Sequence, residues 1–223
     1  MKAIILSSGG VDSTTCLAVA VDKYGADEVI SLSVYYGQKH SKELQAARNI
    51  AEYYKVRHIE LDLEPIFKDS ECSLLSRNEV EIPTGSYAEQ MTGTEPVSTY
   101  VPFRNGLFLS VAASIAISNG CKVIYYGAHA DDAAGNAYPD CSVAFTRAMY
   151  EAINLGSGCD LEVLAPFVRL NKADVVRRGL ELKVPYELTW SCYKGGDKPC
   201  GKCGTCIDRM KAFKANGVED PAI

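Results

Sequence analysis

The chain has 223 residues, 47% hydrophobic and 23% charged, which suits one soluble domain or one domain with an appendage. Its net charge of −5, from 23 basic and 28 acidic side chains, argues against an extended nucleic-acid-binding face but leaves room for a local basic pocket. No apolar run approaches the ~20 residues of a membrane span, the N-terminus lacks a signal-peptide layout, and nine cysteines without export signals read as cytoplasmic thiols and metal ligands rather than disulfides.

Ala3-Ile4-Ile5-Leu6 reads as a buried strand, and a helix is under way by Thr14. Between them lies Ser8-Gly9-Gly10-Val11-Asp12-Ser13. Two readings compete for that turn. One is a tight turn with Asp12 or Ser13 as an ordinary N-cap. The other is an anion site, because glycines let backbone N–H groups approach an anion and a helix N-terminus adds free donors. The string has neither the spacing of a Walker A loop nor the dinucleotide G-x-G-x-x-G pattern.

Val29 to Val34 is a second strand, followed by Tyr35-Tyr36-Gly37-Gln38-Lys39-His40. A helix from about Ser41 to Tyr54 puts Leu44, Ala47, Ile50 and Ala51 on one face, and Val56 to Leu61 is a third strand. The β-α-β-α-β order predicts a parallel α/β sheet with ligands beyond the carboxyl ends of its strands. Both the Gly-Gly turn and Tyr36-Gly37-Gln38 would then reach one rim. His40 is either a surface hydrogen-bonding group or a phosphate or substrate contact. The irregular stretch from about Glu64 to Ser98 reads as a mobile cover over the site or a partly disordered excursion.

Val101-Pro102-Phe103-Arg104-Asn105 leads into an apolar helix from Gly106 to Ser118. Arg104 at that rim suits a carboxylate or phosphate oxygen; the plainer reading is an exposed charge followed by an Asn N-cap. Val123 to Tyr126 is a fourth strand running into Gly127-Ala128-His129-Ala130-Asp131-Asp132 and then Tyr138-Pro139-Asp140-Cys141. Asp131, Asp132 and Asp140 read as Mg²⁺ ligands, as acceptors for a guanine-like edge, or as a solvated acidic loop. A helix from about Val143 to Leu155, a last strand at Leu161 to Leu164 and a helix from Asn171 to Glu181 follow. Lys172 in that helix's first turn is unusual, because a cation is disfavoured there.

Cys192, Cys200, Cys203 and Cys206 have C-x7-C-x2-C-x2-C spacing among glycines. Such thiolates wrap one tetrahedral ion, and zinc is preferred over an iron–sulfur cluster, whose motif continues with a further x3-C-P. Four protein ligands leave no open position, so the site is expected to be structural and to hold a helix from Gly204 to about Asn216. Cys16, Cys72, Cys121, Cys141 and Cys159 read as packing residues.

Taken together these motifs resemble a known family. Ser8 to Ser13 is similar to the SGGxDS loop of the PP-loop ATP pyrophosphatases, which cleave ATP between its α- and β-phosphates. Tyr36-Gly37-Gln38, Val101-Pro102-Phe103-Arg104-Asn105, Tyr138-Pro139-Asp140-Cys141 and the four-cysteine tail resemble the 7-cyano-7-deazaguanine synthase (QueC) subfamily. Ala133-Ala134-Gly135-Asn136-Ala137 departs from the shorter Ser-Gly lead-in of many members. The resemblance implies a Rossmann-like PP-loop domain over residues 1–185 and a four-cysteine, zinc-binding helical region over 186–223. It implies ATP bound by Ser8, Gly9, Gly10, Val11, Asp12, Ser13 and Thr14, with Tyr36, Gly37 and Gln38 beside the adenosine. Asp12, Ser13, Arg104 and Lys172 would serve the chemistry, with Lys172 near the nucleotide phosphates. Arg104, Asn105, Asp131, Tyr138 and Asp140 would bind substrate. The implied reaction converts 7-carboxy-7-deazaguanine and free ammonia to the nitrile through adenylated carboxylate and amide, with Mg²⁺ and ATP, in a cytoplasmic homodimer that does not bind nucleic acid directly. Two other classes stay open: a PP-loop enzyme adenylating tRNA for thiolation or lysidine formation, and a zinc-stabilised nucleotide-binding module without turnover.

Overall fold

The computed structural model of the chain describes residues 1–90, 95–158 and 160–223. Its frame is a five-stranded sheet in the order β3-β2-β1-β4-β5, with every pairing parallel. The strands are β1 (Ala3–Leu6), β2 (Val29–Tyr35), β3 (Arg57–Asp62), β4 (Val123–Tyr125) and β5 (Glu162–Leu164). The helices are α1 (Val11–Tyr24), α2 (Lys42–Tyr54), the single turn α3 (Tyr87–Gln90), α4 (Arg104–Ser118), the short α5 (Ala130–Ala133), α6 (Val143–Ser157), α7 (Lys172–Glu181) and α8 (Gly204–Ala215).

Side chains alternate across a strand, so β1 feeds two cores. Ile4, with Ile30, Leu32 and Ile124 of its neighbours, packs on Leu109, Ala112 and Ala116 of α4 and Met149 and Ile153 of α6. Ala3 and Ile5, with Val29, Val123 and Tyr125, pack on Cys16, Leu17 and Ala20 of α1, Ile50 of α2 and Val175 of α7. The inner strands are buried along nearly their whole length, Ser31 and Ser33 of β2 included, because helices cover both faces. β3 is an edge strand, and its Arg57, Glu60 and Asp62 carry charge where pairing ends. From β1 the chain builds outward to β3 and then returns to place β4 on the other side of β1. Such a reversal opens a crevice at the strands' carboxyl ends.

Several boundaries differ from the sequence expectation by a residue or two. α1 already begins at Val11, inside the Gly-Gly motif, with Gly10 as N-cap and no side-chain cap. α4 begins at Arg104, and its N-cap is Phe103, not Asn105. Phe103 holds φ +53°, a conformation costing a side-chain-bearing residue about 1–2 kcal/mol.

In the stretch from Glu64 to Ser98, read as a mobile cover or a partly disordered excursion, the described residues pack against the protein, and residues 91–94 lie outside the described residues. Cys72, Leu74, Leu75 and Ile82 are buried in one cluster with Tyr36, Val101, Cys192, Cys203 and Cys206. Leu75 bridges to Gln38, Thr84 bridges to Cys203, and the Gly85 N–H donates to the Lys202 carbonyl. Cys16, Cys72, Cys121 and Cys141 are buried; Cys159 lies outside the described residues.

A candidate nucleotide cleft and a four-cysteine cage

A cleft of about 220 Å³ opens at the carboxyl ends of β1, β2 and β4. The Ser8–Ser13 turn, expected to hold phosphate, forms its floor. The Ser13 hydroxyl lies 3.0 Å from the Ser8 hydroxyl and accepts the Ser8 N–H at 3.1 Å. Gly10's carbonyl takes the first helical bond, from the Thr14 N–H at 3.1 Å, so the N–H groups preceding Thr14 begin α1 as donors for an anion. Gly9 has φ +80°, and a Cβ there would collide with the Glu43 carbonyl oxygen, so glycine lets the loop lie flat on α2. Ser8, Gly10, Asp12 and Ser13 line the cleft; Gly9, Val11 and Thr14 stand behind it as its frame.

Lys172 reaches this floor from the far end of the chain. Its Nζ donates to Asp12 Oδ2 at 2.7 Å. α7 is started by a capping box between Asn171 and Asp174, which fixes where Lys172 points. Burial works to neutralise both partners, but Lys172 and then His129 leave the Asp12 carboxyl below its ordinary range. Burial likewise opposes the Lys172 charge, and Asp12 and Asp132 overcome it, raising the amine. The cleft therefore keeps a cation beside the free N–H groups that begin α1.

His129, 3% exposed, adds a group the sequence reading did not single out. Its Nε2 lies 3.3 Å from Asp132 Oδ2 and 3.7 Å from Asp12 Oδ1. Burial pushes the Asp132 carboxyl up, partly opposed by His129 and Lys172. The only sequence signal for His129 was its place in a Gly-rich loop after a strand.

On the second wall, Arg104 donates to the Tyr36 hydroxyl at 3.3 Å and lies over the Tyr36 ring at 5.3 Å. Asn105 donates through Nδ2 to the Asp140 carbonyl at 3.2 Å, and its N–H goes to Asp140 Oδ2 at 2.9 Å. Tyr138 lines the cleft with its hydroxyl 2.6 Å from Thr99 Oγ1. Gln38 lines it too, with Oε1 accepting the Tyr36 N–H at 2.8 Å, whereas the Gly37 carbonyl turns away to accept from Ser76.

Two expected substrate contacts are placed elsewhere. Asp131 is absent from the lining; its Oδ2 accepts the Lys172 N–H at 2.8 Å, because an acid is favoured at a helix N-terminus. Asp140 is also absent from the lining, since its carboxylate anchors the first turn of α4. Of the three aspartates read as Mg²⁺ ligands, as acceptors for a guanine-like edge or as a solvated loop, only Asp132 faces the cleft. His40 does not line it either; its ring packs edge-on against Trp190 at 6.3 Å. Sequence reasoning missed Glu43, Trp190, Ser191, Tyr193 and Asp208, all lining residues from segments remote in the chain.

The four thiols of Cys192, Cys200, Cys203 and Cys206 lie within 4.8 Å of one another. A tetrahedral ion with metal–sulfur bonds of about 2.3 Å fits such a cage. Backbone N–H groups aim at the sulfurs: Cys200 N to Cys192 Sγ at 3.3 Å, and Lys202 N and Cys203 N to Cys200 Sγ at 3.4 Å. Hydrogen bonding from Cys206 favours the Cys203 thiolate, and Cys203 is the N-cap residue of α8. The cage abuts the cleft, because the Trp190 N–H donates to the Gly9 carbonyl at 2.9 Å two residues before Cys192.

Comparison with known proteins agrees with this architecture. A family model described as "Queuosine biosynthesis protein QueC" matches residues 2–217. The chain is 46% identical to the 7-cyano-7-deazaguanine synthase of Archaeoglobus fulgidus, over 100% of this chain and 90% of that protein. It is 45% identical to the synthase of the same name from Caldicellulosiruptor bescii, covering 99% and 96%. Among solved structures, an NMN synthetase from Francisella tularensis shares the fold at TM-score 0.53 and 16% identity, covering 98% of this chain and 78% of that one. The U34-tRNA thiolase NcsA from Methanococcus maripaludis does so at TM-score 0.52 and 14% identity, covering 97% and 66%. The motifs, the parallel sheet with its phosphate turn, the cysteine cage and the full-length match converge: this chain belongs to the QueC family of queuosine biosynthesis proteins.

Proposed function

We propose that this chain is a 7-cyano-7-deazaguanine synthase, an ATP-dependent enzyme that forms a carbon–nitrogen bond. One observation carries the assignment of the site: the phosphate turn, Lys172 and the Arg104-Asn105 helix start, distant in sequence, line one cleft. A carboxylate is a poor acceptor for ammonia, so its oxygen must first become a leaving group. Attack of that oxygen on the ATP α-phosphate gives an acyl-adenylate and releases pyrophosphate. Ammonia displaces AMP to give the amide. A second adenylation, on the amide oxygen, lets AMP and a proton depart to leave the nitrile. The N–H groups of the Ser8–Ser13 turn and Lys172 stabilise the charge that develops on pyrophosphate, while Asp12 orients the lysine. Catalysis then rests on positioning and electrostatics, with no side-chain nucleophile.

Arg104 donates to a substrate oxygen atom, Asn105, whose Nδ2 is held by Asp140 and Cys141, offers its Oδ1 to a substrate donor, and Tyr138 walls the ring. Asp132, a desolvated carboxylate facing the phosphate floor, suits Mg²⁺, which when bound neutralises phosphate charge. Zinc in the four-cysteine cage has a structural role, joining residues 186–223 to the ATP-binding domain of residues 1–185. The enzyme works in the cytoplasm as a homodimer on small molecules.

The test is mass spectrometry of products after incubation with 7-carboxy-7-deazaguanine, ammonium, Mg²⁺ and ATP. The expected products are the nitrile, AMP and pyrophosphate. Ligand binding without nitrile overturns the assignment and directs the search to tRNA as the acceptor.

A further inference from the structure

Two carboxylates that line the cleft, Glu43 and Asp208, are not used by the reaction above; Asp208 faces the charges of Lys172 and Lys211, and Glu43 faces that of Arg104. Glu43 lies in the first turn of α2, beside the phosphate turn. At the phosphate floor Asp12 is engaged with Lys172, Asp132 stands beside His129, and Asp208 lies in the field of Lys172, so Glu43 is the lining acid on the Arg104 side. Among the described residues no hydrogen bond or ion pair holds the Glu43 side chain. Burial pushes its carboxyl up to about 7, and the one charge that works against this is Arg104. Among the described residues Arg104 is itself undersupplied. It has five N–H donors, and the Tyr36 hydroxyl takes one of them at 3.3 Å. Glu43 and Arg104 are thus an acceptor and a donor facing one space, not in contact with each other. The rings of Tyr36, Phe108, Trp190 and Tyr193 line the same cleft, with Arg104 over Tyr36 and Phe108 packed beside it.

A planar ligand that fits there needs a hydrogen-bond acceptor for Arg104 beside donors for Glu43. The six-membered edge of a guanine-like ring presents that row: a carbonyl oxygen, a ring N–H and an exocyclic amine. Adenine presents an amine donor beside a ring-nitrogen acceptor, which meets a carboxylate with one match and one repulsion. We propose that Glu43 and Arg104 read the lactam-and-amine edge of the deazaguanine substrate, Glu43 accepting the ring N–H and the 2-amino group and Arg104 donating to the ring carbonyl. This rests on the functional reading above and refines it. It gives the Tyr36 flank to the deazaguanine. The adenine of ATP then takes the opposite flank, along Leu32, Tyr126 and Ala128. It also replaces Asp131 and Asp140, which the fold uses elsewhere, as the acids that recognise the base.

The experiment is steady-state kinetics of the metal-loaded enzyme with 7-carboxy-7-deazaguanine and with its analogue lacking the 2-amino group. Wild type, Glu43→Gln and Glu43→Asp are compared. Glutamine turns an N–H₂ toward the ring N–H, so kcat/KM for the full substrate should fall on the order of 10²-fold. Removing the 2-amino group should cost the wild type about 10–100-fold and cost Glu43→Gln nothing further. Glu43→Asp should recover part of the loss, and KM for ATP should stay within about twofold in both variants. An unchanged KM for the deazaguanine in Glu43→Gln overturns the assignment. So does a rise in KM for ATP alone, which would put adenine against Glu43. Wild-type enzyme that makes no nitrile overturns the proposed function, and this assignment with it. Thermal melting of each variant controls for folding, and Glu43→Asp carries the comparison if the glutamine variant is unstable.

Discussion

Asp12 and Lys172 stand 160 positions apart and meet at 2.7 Å. Each is charged because the other is, so removing one leaves a buried charge unpaired. Lys172→Met should lower kcat by at least about 10²-fold in a pyrophosphate-release assay. It should also lower the melting temperature, whereas a Lys172 on the surface would do neither. Glu43 gives a pH signature in the ligand-free protein. Its carboxyl titrates near 7 when folded but near ~4.3 when unfolded. Between those values the folded state holds the extra proton, so stability falls as pH rises through that window. Glu43→Gln should remove about 1–3 kcal/mol of that slope between pH 5 and pH 8, read from urea midpoints. An identical slope in both proteins would assign the titration to another acid.

Elements place these residues by docking against one another. The phosphate turn rests on α2 through Gly9, where a Cβ would also come within 2.7 Å of the Ala47 nitrogen. Gly9→Ala should therefore destabilise the fold by about 2 kcal/mol or more and raise KM for ATP. On its other side the turn is held by the segment from Tyr186 to Ser191, which α8 braces through Arg209. That guanidinium is 2% exposed. It donates to Thr189 Oγ1 at 2.7 Å, to the Tyr186 carbonyl at 3.2 Å and to both carboxylate oxygens of Asp220 at 2.6 and 2.8 Å. Arg209→Met leaves Asp220 buried and unpaired, with an expected loss of about 3–5 kcal/mol by chemical denaturation. A loss below about 1 kcal/mol would mean that the tail around Asp220 releases its carboxylate to water.

Across the whole molecule the cysteine cage joins three parts of the chain. It carries the segment that touches Gly9, it starts α8 at Cys203, and it pairs with the 64–85 stretch at Thr84 and Gly85. Removing the metal by chelation, or introducing Cys203→Ser, should therefore loosen more than the cage. Hydrogen exchange should rise in residues 72–85 and 8–13 as well as in 190–206, and the melting temperature should drop by about 10 °C or more. Metal analysis should find one zinc per chain in the intact protein. A folded, metal-free variant with unchanged exchange in 8–13 would separate the cage from the nucleotide site.

Much of this was legible in the sequence because it is local. Alternating β and α patterns give a parallel sheet; a Gly-Gly turn between strand and helix gives free N–H donors at a helix start; and closely spaced thiols gather into one cluster that could hold a metal. Each depends on neighbours within a few positions, so β1, β2, α2 and the cysteine set were all read correctly from their own residues. The acids could not be sorted in the same way. Asp131, Asp132 and Asp140 look alike in a loop, yet one caps α7, one faces the cleft and one anchors α4. Glu43 reads in sequence as an ordinary acid in a helix's first turn. A carboxylate's role is set by what surrounds it, through burial and partner charges, and those partners come from other elements. The sequence determined the chemistry available to this protein. Only the tertiary structure decided which of its charged groups are used up holding the fold and which remain free to meet a substrate.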